Sequence, residues 1–537
     1  MRRVAIVATL SAVAALVASV SGATARPFRE GGTFRVGIPG DALDSIDAAL
    51  QGLPGGVVID AATCESLMRT PDESFAQGAG VVPDLAAAPP RIGANGKTYT
   101  FTLRSGLRFS TGAPVTAVDV AHTIDRVLNK GFDSPYGSAL ADIVGATKVL
   151  SGAATHATGI VAHGLTLTIR LTKPSGDFTA LTTVLCVVPR GVPPDPEGVK
   201  APVPSAGPYY VAEFVPNDHV TLLRNRFYRG SRPHHIDRFE IDLSEDAQTI
   251  LDRTDKNQLD YAWAPNLEYA AHAADYAKRY GIDKSRFFTA PGTFLREFVL
   301  NTSRPLFRDN LALRRAVNFA VDRHALLVER GPLAGRLTDQ YLWPGMLGFK
   351  DASIYPLKAP NLKKARALAR GHLRSRKAVL YVPSIPVGTA QAQILAFDLK
   401  KIGLSVQVRS FPPPLLFEKL GTVGEPFDIG WIGWSPSADR DPGDFLDGQF
   451  DGRTIGQAGS SDWSYLDSPK YNALLARDSR LTGPARYRAF GALDADISRN
   501  AAPGIPFAYD NTMNLVSSRT GCAVFNPYLD LAAVCLK

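Results

Sequence analysis

Residues 99–128 read YTFTLRSGLRFSTGAPVTAVDVAHTIDRVL. Tyr99, Phe101 and Leu103 alternate with Thr98, Thr100 and Thr102, the period of a half-buried strand. Ser105-Gly106 and Ser110-Thr111-Gly112 carry turn chemistry. Thr116 and Asp119 then stand as N-cap and N3 of a helix, with Asp in the Glu position of a capping box. Val120, Ile124, Val127 and Leu128 give that helix an apolar face. The physical reading is a strand, two turns and a capped helix, none of which requires a reactive group.

Upstream, residues 32–37 read as a short strand and residues 57–68 as an apolar helix, with Cys64 opening its last segment. Downstream, residues 181–188 read as an apolar strand ending near Cys186. A Pro-rich stretch over 192–204 breaks the chain. Either Asp309 or Asn310 caps a helix with Leu313, Ala316, Val317, Ala320 and Val321 on one face. Phe427, Ile429, Trp431 and Gly433 alternate as a buried strand does, and the chain then turns through Ser435-Pro436-Ser437. Short strands mixed with helices fit an α/β architecture. No internal repeat or low-complexity segment follows the first residues.

Those first residues have the form of a secretory signal over 1–25. Arg2 and Arg3 precede an apolar run over 4–20, and Ala23-Thr24-Ala25 supplies the cleavage site. The mature chain then starts near Arg26, with an uncleaved membrane anchor as the alternative. No cysteine precedes Cys64, so a lipoprotein box is absent and a soluble periplasmic protein is expected. Losing Arg2 and Arg3 lowers the formal charge from +8 to +6. The basic residues are scattered with no aromatic-lined stripe, which argues against a nucleic-acid partner.

Four cysteines in an oxidising compartment should pair. A Cys522–Cys535 bridge would pin the C-terminal tail, leaving Cys64 with Cys186. Four cysteines allow three connectivities, and free thiols at 64 and 186 are the alternative. Glu65, beside Cys64, reads as a surface carboxylate more readily than as a cleft residue. No CxxC or Cys/His cluster suggests a metal site. Gly96-Lys97-Thr98 resembles the end of a phosphate loop, but Arg91 stands where that loop needs glycine. Neither HExxH nor GxSxG occurs, so no catalytic residue, metal or cofactor is assigned.

The opening stretch also resembles the signature of the family 5 extracellular solute-binding proteins, the peptide/nickel/opine receptors of ABC importers, whose pattern is TYTFTLR-G-xxFxxGxPVTAxDV. Other landmarks follow in family order. They are Gly207-Pro208-Tyr209, Arg224-Asn225 with Tyr228, Leu300-Asn301 with Pro305, Phe307 and Asp309, then Asp322-Arg323, and Pro503-Gly504-Ile505-Pro506. The resemblance implies a bilobed periplasmic binding protein of class II, cluster C-like, with two lobes around a cleft and an extra α/β subdomain. Lobe I would comprise 26–57, 204–298 and 503–537, the extra subdomain 58–203, and lobe II 299–502.

The same resemblance locates the ligand. Residues 427–446, FDIGWIGWSPSADRDPGDFL, are similar to the family's WxADYxDPxxFL segment, whose Asp accepts a peptide's α-ammonium group. Carried over residue by residue, Trp434 is the family Trp, Asp439 the ligand Asp, and Asp441-Pro442 with Phe445-Leu446 the trailing motif. This chain departs from the family in its longer Trp434–Asp439 spacing and in Arg440, which replaces a Tyr and suits a ligand carboxylate. The function implied is a monomeric, non-enzymatic receptor that captures a small solute, a peptide by first choice, and delivers it to an ABC permease complex in the inner membrane. Within the family a metal chelate, haem, opine or sugar is the other choice. Outside it, an envelope hydrolase or a signalling or chaperone protein on the same scaffold is the rival.

Overall fold

A computed structural model describes residues 28–74, 80–199, 201–435 and 441–537. The expected leader over 1–25 lies outside them. Thr98–Thr102 is a strand, with Tyr99 and Phe101 buried. It sits between Arg91–Ile92 and Thr166–Arg170 in a four-stranded sheet completed by Ile160–His163. The Ala117–Val127 helix begins in the expected capping box, with the Thr116 N–H donating to Asp119 Oδ2 at 2.9 Å. Its Val120, Ile124 and Val127 enter the same core as Tyr99 and Phe101. The opening motif is therefore a packing unit.

A second, 11-stranded sheet runs through the rest of the molecule. Its centre is a pair of long antiparallel strands, Phe287–Leu300 and Gly504–Val516. On one side lie Tyr261–Ala262, Thr33–Gly37, Arg238–Asp242, His219–Arg224 and Tyr209–Val215. On the other lie Ile429–Trp434, Lys377–Pro383 and Ser405–Phe411, and the eleventh strand, Gly335–Leu337, pairs with Gly504–Val516 off this path. One apolar core gathers Phe34, Val36, Phe239, Tyr261 and Val516. Another gathers Phe298, Phe307, Val317, Leu380, Trp431 and Phe507. Among the described residues the two long strands alone send side chains into both of these cores, and this gives the fold its bilobed form.

These crossing strands are not regular. Pro291 pairs with Asn511 and Leu295 with Tyr509, and the register shifts between the two pairs. A bulge accommodates Pro291, which cannot donate to the ladder. Gly292 follows because an added Cβ would lie 2.6 Å from the Asp510 carbonyl oxygen.

Several local expectations change. The first helix is Pro54–Thr63, so Cys64 closes a helix instead of opening one, and Met68–Arg69 is a strand. Residues 181–188 are not a strand. Phe178–Leu181 is a short helix continued by a 3-10 turn over Thr182–Val184, where the Thr182 hydroxyl donates to the Thr179 carbonyl at 2.7 Å. Apolar periodicity over so few residues cannot separate these conformations. The structure pairs Cys64 with Cys186 and Cys522 with Cys535, with Cα atoms 5.2 and 5.3 Å apart. Asn310, and not Asp309, caps the Leu311–Ala320 helix. Glu65 is buried: its Oε1 accepts from the Tyr228 hydroxyl at 3.0 Å, and burial, then the neighbouring Asp84, push its carboxyl up to about 8.

Candidate ligand site at the crossing strands

The strand Ile429–Trp434 pairs with the crossing strand, Trp434 facing Leu295 and Trp431 facing Phe298. Its residues are buried until the last, Trp434, which is half-buried. The Trp434 ring meets Trp463 edge-on at 5.3 Å, and Trp463 stacks on Phe417 at 5.5 Å. The Trp434 indole N–H has no acceptor among the described residues. Ser435 then leaves the sheet, its Oγ 2.9 Å from Thr293 Oγ1 inside the bulge.

Asp439 and Arg440 lie outside the described residues. Asp441 is 3% exposed and caps the Pro442–Phe450 helix, accepting from the Gly443 N–H at 2.7 Å. Its carboxylate is gripped by Arg486, with Nη2 2.7 Å from Oδ1 and Nε 2.9 Å from Oδ2. Burial opposes the Arg486 charge, but Asp441 outweighs it and holds the guanidinium above its ordinary range. Arg486 Nη2 also lies 3.7 Å from Asp177, and the Gly176 N–H donates to the Ser479 carbonyl at 3.0 Å. The unit carrying the opening motif therefore touches the half that carries Trp434. Tyr99 joins this contact through its hydroxyl, which donates to the Ser175 carbonyl.

Beside the bulge is a pocket of about 110 Å³ lined by Pro291, Gly292, Arg336, Trp343, Tyr509 and Asp510. Tyr509 is held by a hydrogen bond from its hydroxyl to the Gln340 carbonyl at 2.7 Å. The buried Asp510 carboxylate lies between two guanidiniums: Arg296 Nη2 at 2.7 Å and Arg330 Nη2 at 2.9 Å. Arg296 stacks on Phe294 at 4.2 Å. Burial, then the charge of Arg296, lower the Arg330 guanidinium to about 10. Sequence reasoning did not find this cluster. Its signal was a charge inside an apolar strand, Arg296 after Leu295 and Asp510 after Tyr509.

The other aromatic side chains divide. Trp343 and Tyr509 reach the pocket, whereas Trp263 pairs with Tyr528 at 6.0 Å and Tyr465 is buried with its hydroxyl on the Leu420 carbonyl. Among the described residues no group of three or more His, Cys, Asp or Glu side chains is arranged to hold a metal ion. No helix there is long and apolar enough to cross a membrane.

Two halves joined by paired crossing strands define the class of bilobed binding proteins. The clavulanic acid biosynthesis oligopeptide binding protein 2 has the same fold, with a TM-score of 0.84 at 24% identity over 95% of this chain and 96% of that one. DppA from Helicobacter pylori in complex with peptide STSA aligns at a TM-score of 0.69 and 20% identity, over 95% of this chain and 98% of that one. Residues 80–457 match the family model described as "Bacterial extracellular solute-binding proteins, family 5 Middle", and the chain belongs to that family of solute-binding proteins. Among its relatives, Protein XP55 of Streptomyces lividans is 26% identical over 385 residues, 65% of this chain and 63% of that protein. The oligopeptide-binding protein OppA of Bacillus subtilis is 24% identical over 374 residues, 66% of this chain and 67% of OppA. Heme-binding protein A of Haemophilus influenzae is 23% identical over 480 residues, 84% of each chain.

Proposed function

We propose that this protein is the soluble receptor of an ABC importer in the periplasm, binding a peptide between its two halves and delivering it to a permease complex in the inner membrane. It acts as a monomer and without chemistry on its cargo. Closure bends the crossing strands at the bulge around Gly292, where the ladder is already interrupted.

One observation carries this reading. The residues flanking 436–440 are anchored, Ser435 on Thr293 and Asp441 on Arg486, next to the Trp434 indole. Asp439 accepts the ligand's ammonium group from this segment, Trp434 walls it, and Arg440 faces a ligand carboxylate. Asp441 contributes by fixing the segment's end. The names of relatives support the peptide: OppA of Bacillus subtilis is an oligopeptide-binding protein. Micromolar affinity requires about −8 kcal/mol, which suits a closed aromatic cleft with a few charge-assisted hydrogen bonds.

Native mass spectrometry of protein purified without denaturation tests the reading. A mass increment of one or several short peptides is expected. A haem, bile-acid or metal-chelate increment would replace peptide as the cargo while keeping the receptor role. A peptide library should in addition raise Tm, since ligand at 100 times Kd adds about 2.7 kcal/mol to stability.

A further inference from the structure

Asp510, in the wall of the pocket beside the bulge, sits in a cluster whose charge is not balanced among the described residues. Arg296 and Arg330 share the single carboxylate of Asp510, which leaves one positive charge in excess. Arg336 adds another. Its side chain is exposed on the short strand Gly335–Leu337, lines the pocket, and makes no hydrogen bond or ion pair among the described residues. Among the described residues Asp510 is the only acidic side chain in the lining. Trp343 is 1% exposed in the pocket wall, and its indole N–H has no acceptor among the described residues. Two partly buried guanidiniums crowded on one carboxylate, with Arg330 lowered to about 10, gain from any further negative charge nearby.

We propose that this pocket receives a carboxylate of the bound ligand, with Arg336 as the residue that selects for it and the Arg296–Asp510–Arg330 cluster as a fixed positive backing. The inference rests on the reading that the ligand lies along the crossing strands. About 110 Å³ admits a group of a few heavy atoms and not a whole residue chain. Arg336 presents a planar fork that matches a carboxylate in two hydrogen bonds, which a lysine would not reproduce. Tyr509 and Trp343 exclude water around that pair. The selected ligands are therefore acidic at one end, whether that carboxylate is a peptide C-terminus or an acidic side chain.

The test compares tetra-alanine as the free acid with tetra-alanine amide, by calorimetry and by Tm, on the wild type and on Arg336→Gln and Arg336→Lys. The wild type should bind the acid about tenfold more tightly than the amide, Arg336→Gln should remove most of that preference, and Arg336→Lys should restore only part of it. An amidated tetrapeptide containing one Glu separates the sources: binding like the free acid assigns the pocket to a side chain, binding like the amide to a terminus. Arg336 is exposed, so the unliganded Tm should stay within about one degree of wild type. Equal affinity for acid and amide in the wild type would overturn the inference and leave peptide binding intact. If no peptide binds, the peptide reading fails, and succinate against succinamide then decides the pocket. A Tm rise with succinate alone, lost in Arg336→Gln, upholds it, and no difference overturns it.

Discussion

Arg486 and Asp441 form a buried ion pair 45 residues apart in sequence, and the same guanidinium reaches toward Asp177 in the other half of the contact. One side chain thus fixes the end of the 436–440 segment and meets the unit that contains the opening motif. Removing one partner of a buried pair leaves an uncompensated charge, a loss of roughly 3–5 kcal/mol. Arg486→Met should therefore lower the denaturation midpoint sharply and weaken peptide binding as well. A midpoint equal to the wild type would refute the role given to this pair.

The ligand role of Asp439 is separable from stability. Asp439→Asn keeps size and polarity but removes the charge, so the Tm rise produced by a peptide library should disappear while the unliganded Tm holds. Trp434→Ala should reduce the same rise through loss of the aromatic wall. An undiminished rise in Asp439→Asn would assign the ammonium group to another residue.

Glu297 predicts a pH dependence. It is 1% exposed, and neither carboxyl oxygen has a hydrogen-bond partner among the described residues. Burial, then Asp462, raise it from 4.5 to about 8. The folded state therefore holds a proton that the unfolded chain releases at lower pH. Its contribution is fully present below about pH 4.5 and is lost as pH rises toward 8. Asp462 and Asp494, each raised to about 7 mainly by burial, act in the same direction. Tm should fall between pH 5 and 8, and Glu297→Gln should flatten that slope. A slope unchanged in Glu297→Gln would show that this carboxyl does not titrate on unfolding.

The bulge carries its own prediction. Gly292→Ala forces a Cβ against the Asp510 carbonyl, so the crossing strands must shift, at a cost of about 1–3 kcal/mol. Stability and the ligand-induced Tm rise should fall together, and hydrogen exchange should quicken at residues 287–300. Wild-type exchange rates in the variant would mean that the bulge tolerates a side chain.

The C-terminal bridge can be tested by a double Ser variant. Cys522 and Cys535 enclose a short loop at the end of the chain, worth roughly 3 kcal/mol by loop closure. The double variant should melt lower by several degrees, and an unchanged Tm would show the tail is held without the bridge.

Local chemistry was legible in the sequence where it needed no partner. The alternation of Tyr99 and Phe101, the Thr116–Asp119 box and the apolar face of Val120, Ile124 and Val127 follow from covalent geometry and period, and all appear in the fold. Segments fixed by distant contacts were misread. Residues 64–68 leave helix because Cys64 is tied to Cys186 and Glu65 is drawn into the interior by Tyr228. The Trp434 strand was recognisable by its alternation, but the anchoring of its continuation by Thr293 and Arg486 was not.

By itself, then, the sequence determined local strands, turns and caps, because that signal lies in short-range order along the chain, and it pointed to the class of scaffold through its resemblance to the family 5 pattern. The tertiary structure alone decided where the charge of the site resides. Arg296 and Arg330 meet Asp510 across separations of 214 and 180 residues, and Arg336 joins the pocket lined by Asp510 only because its strand pairs with Gly504–Val516. Coulombic and desolvation energies depend on distances and burial in three dimensions, which no periodicity along the chain encodes.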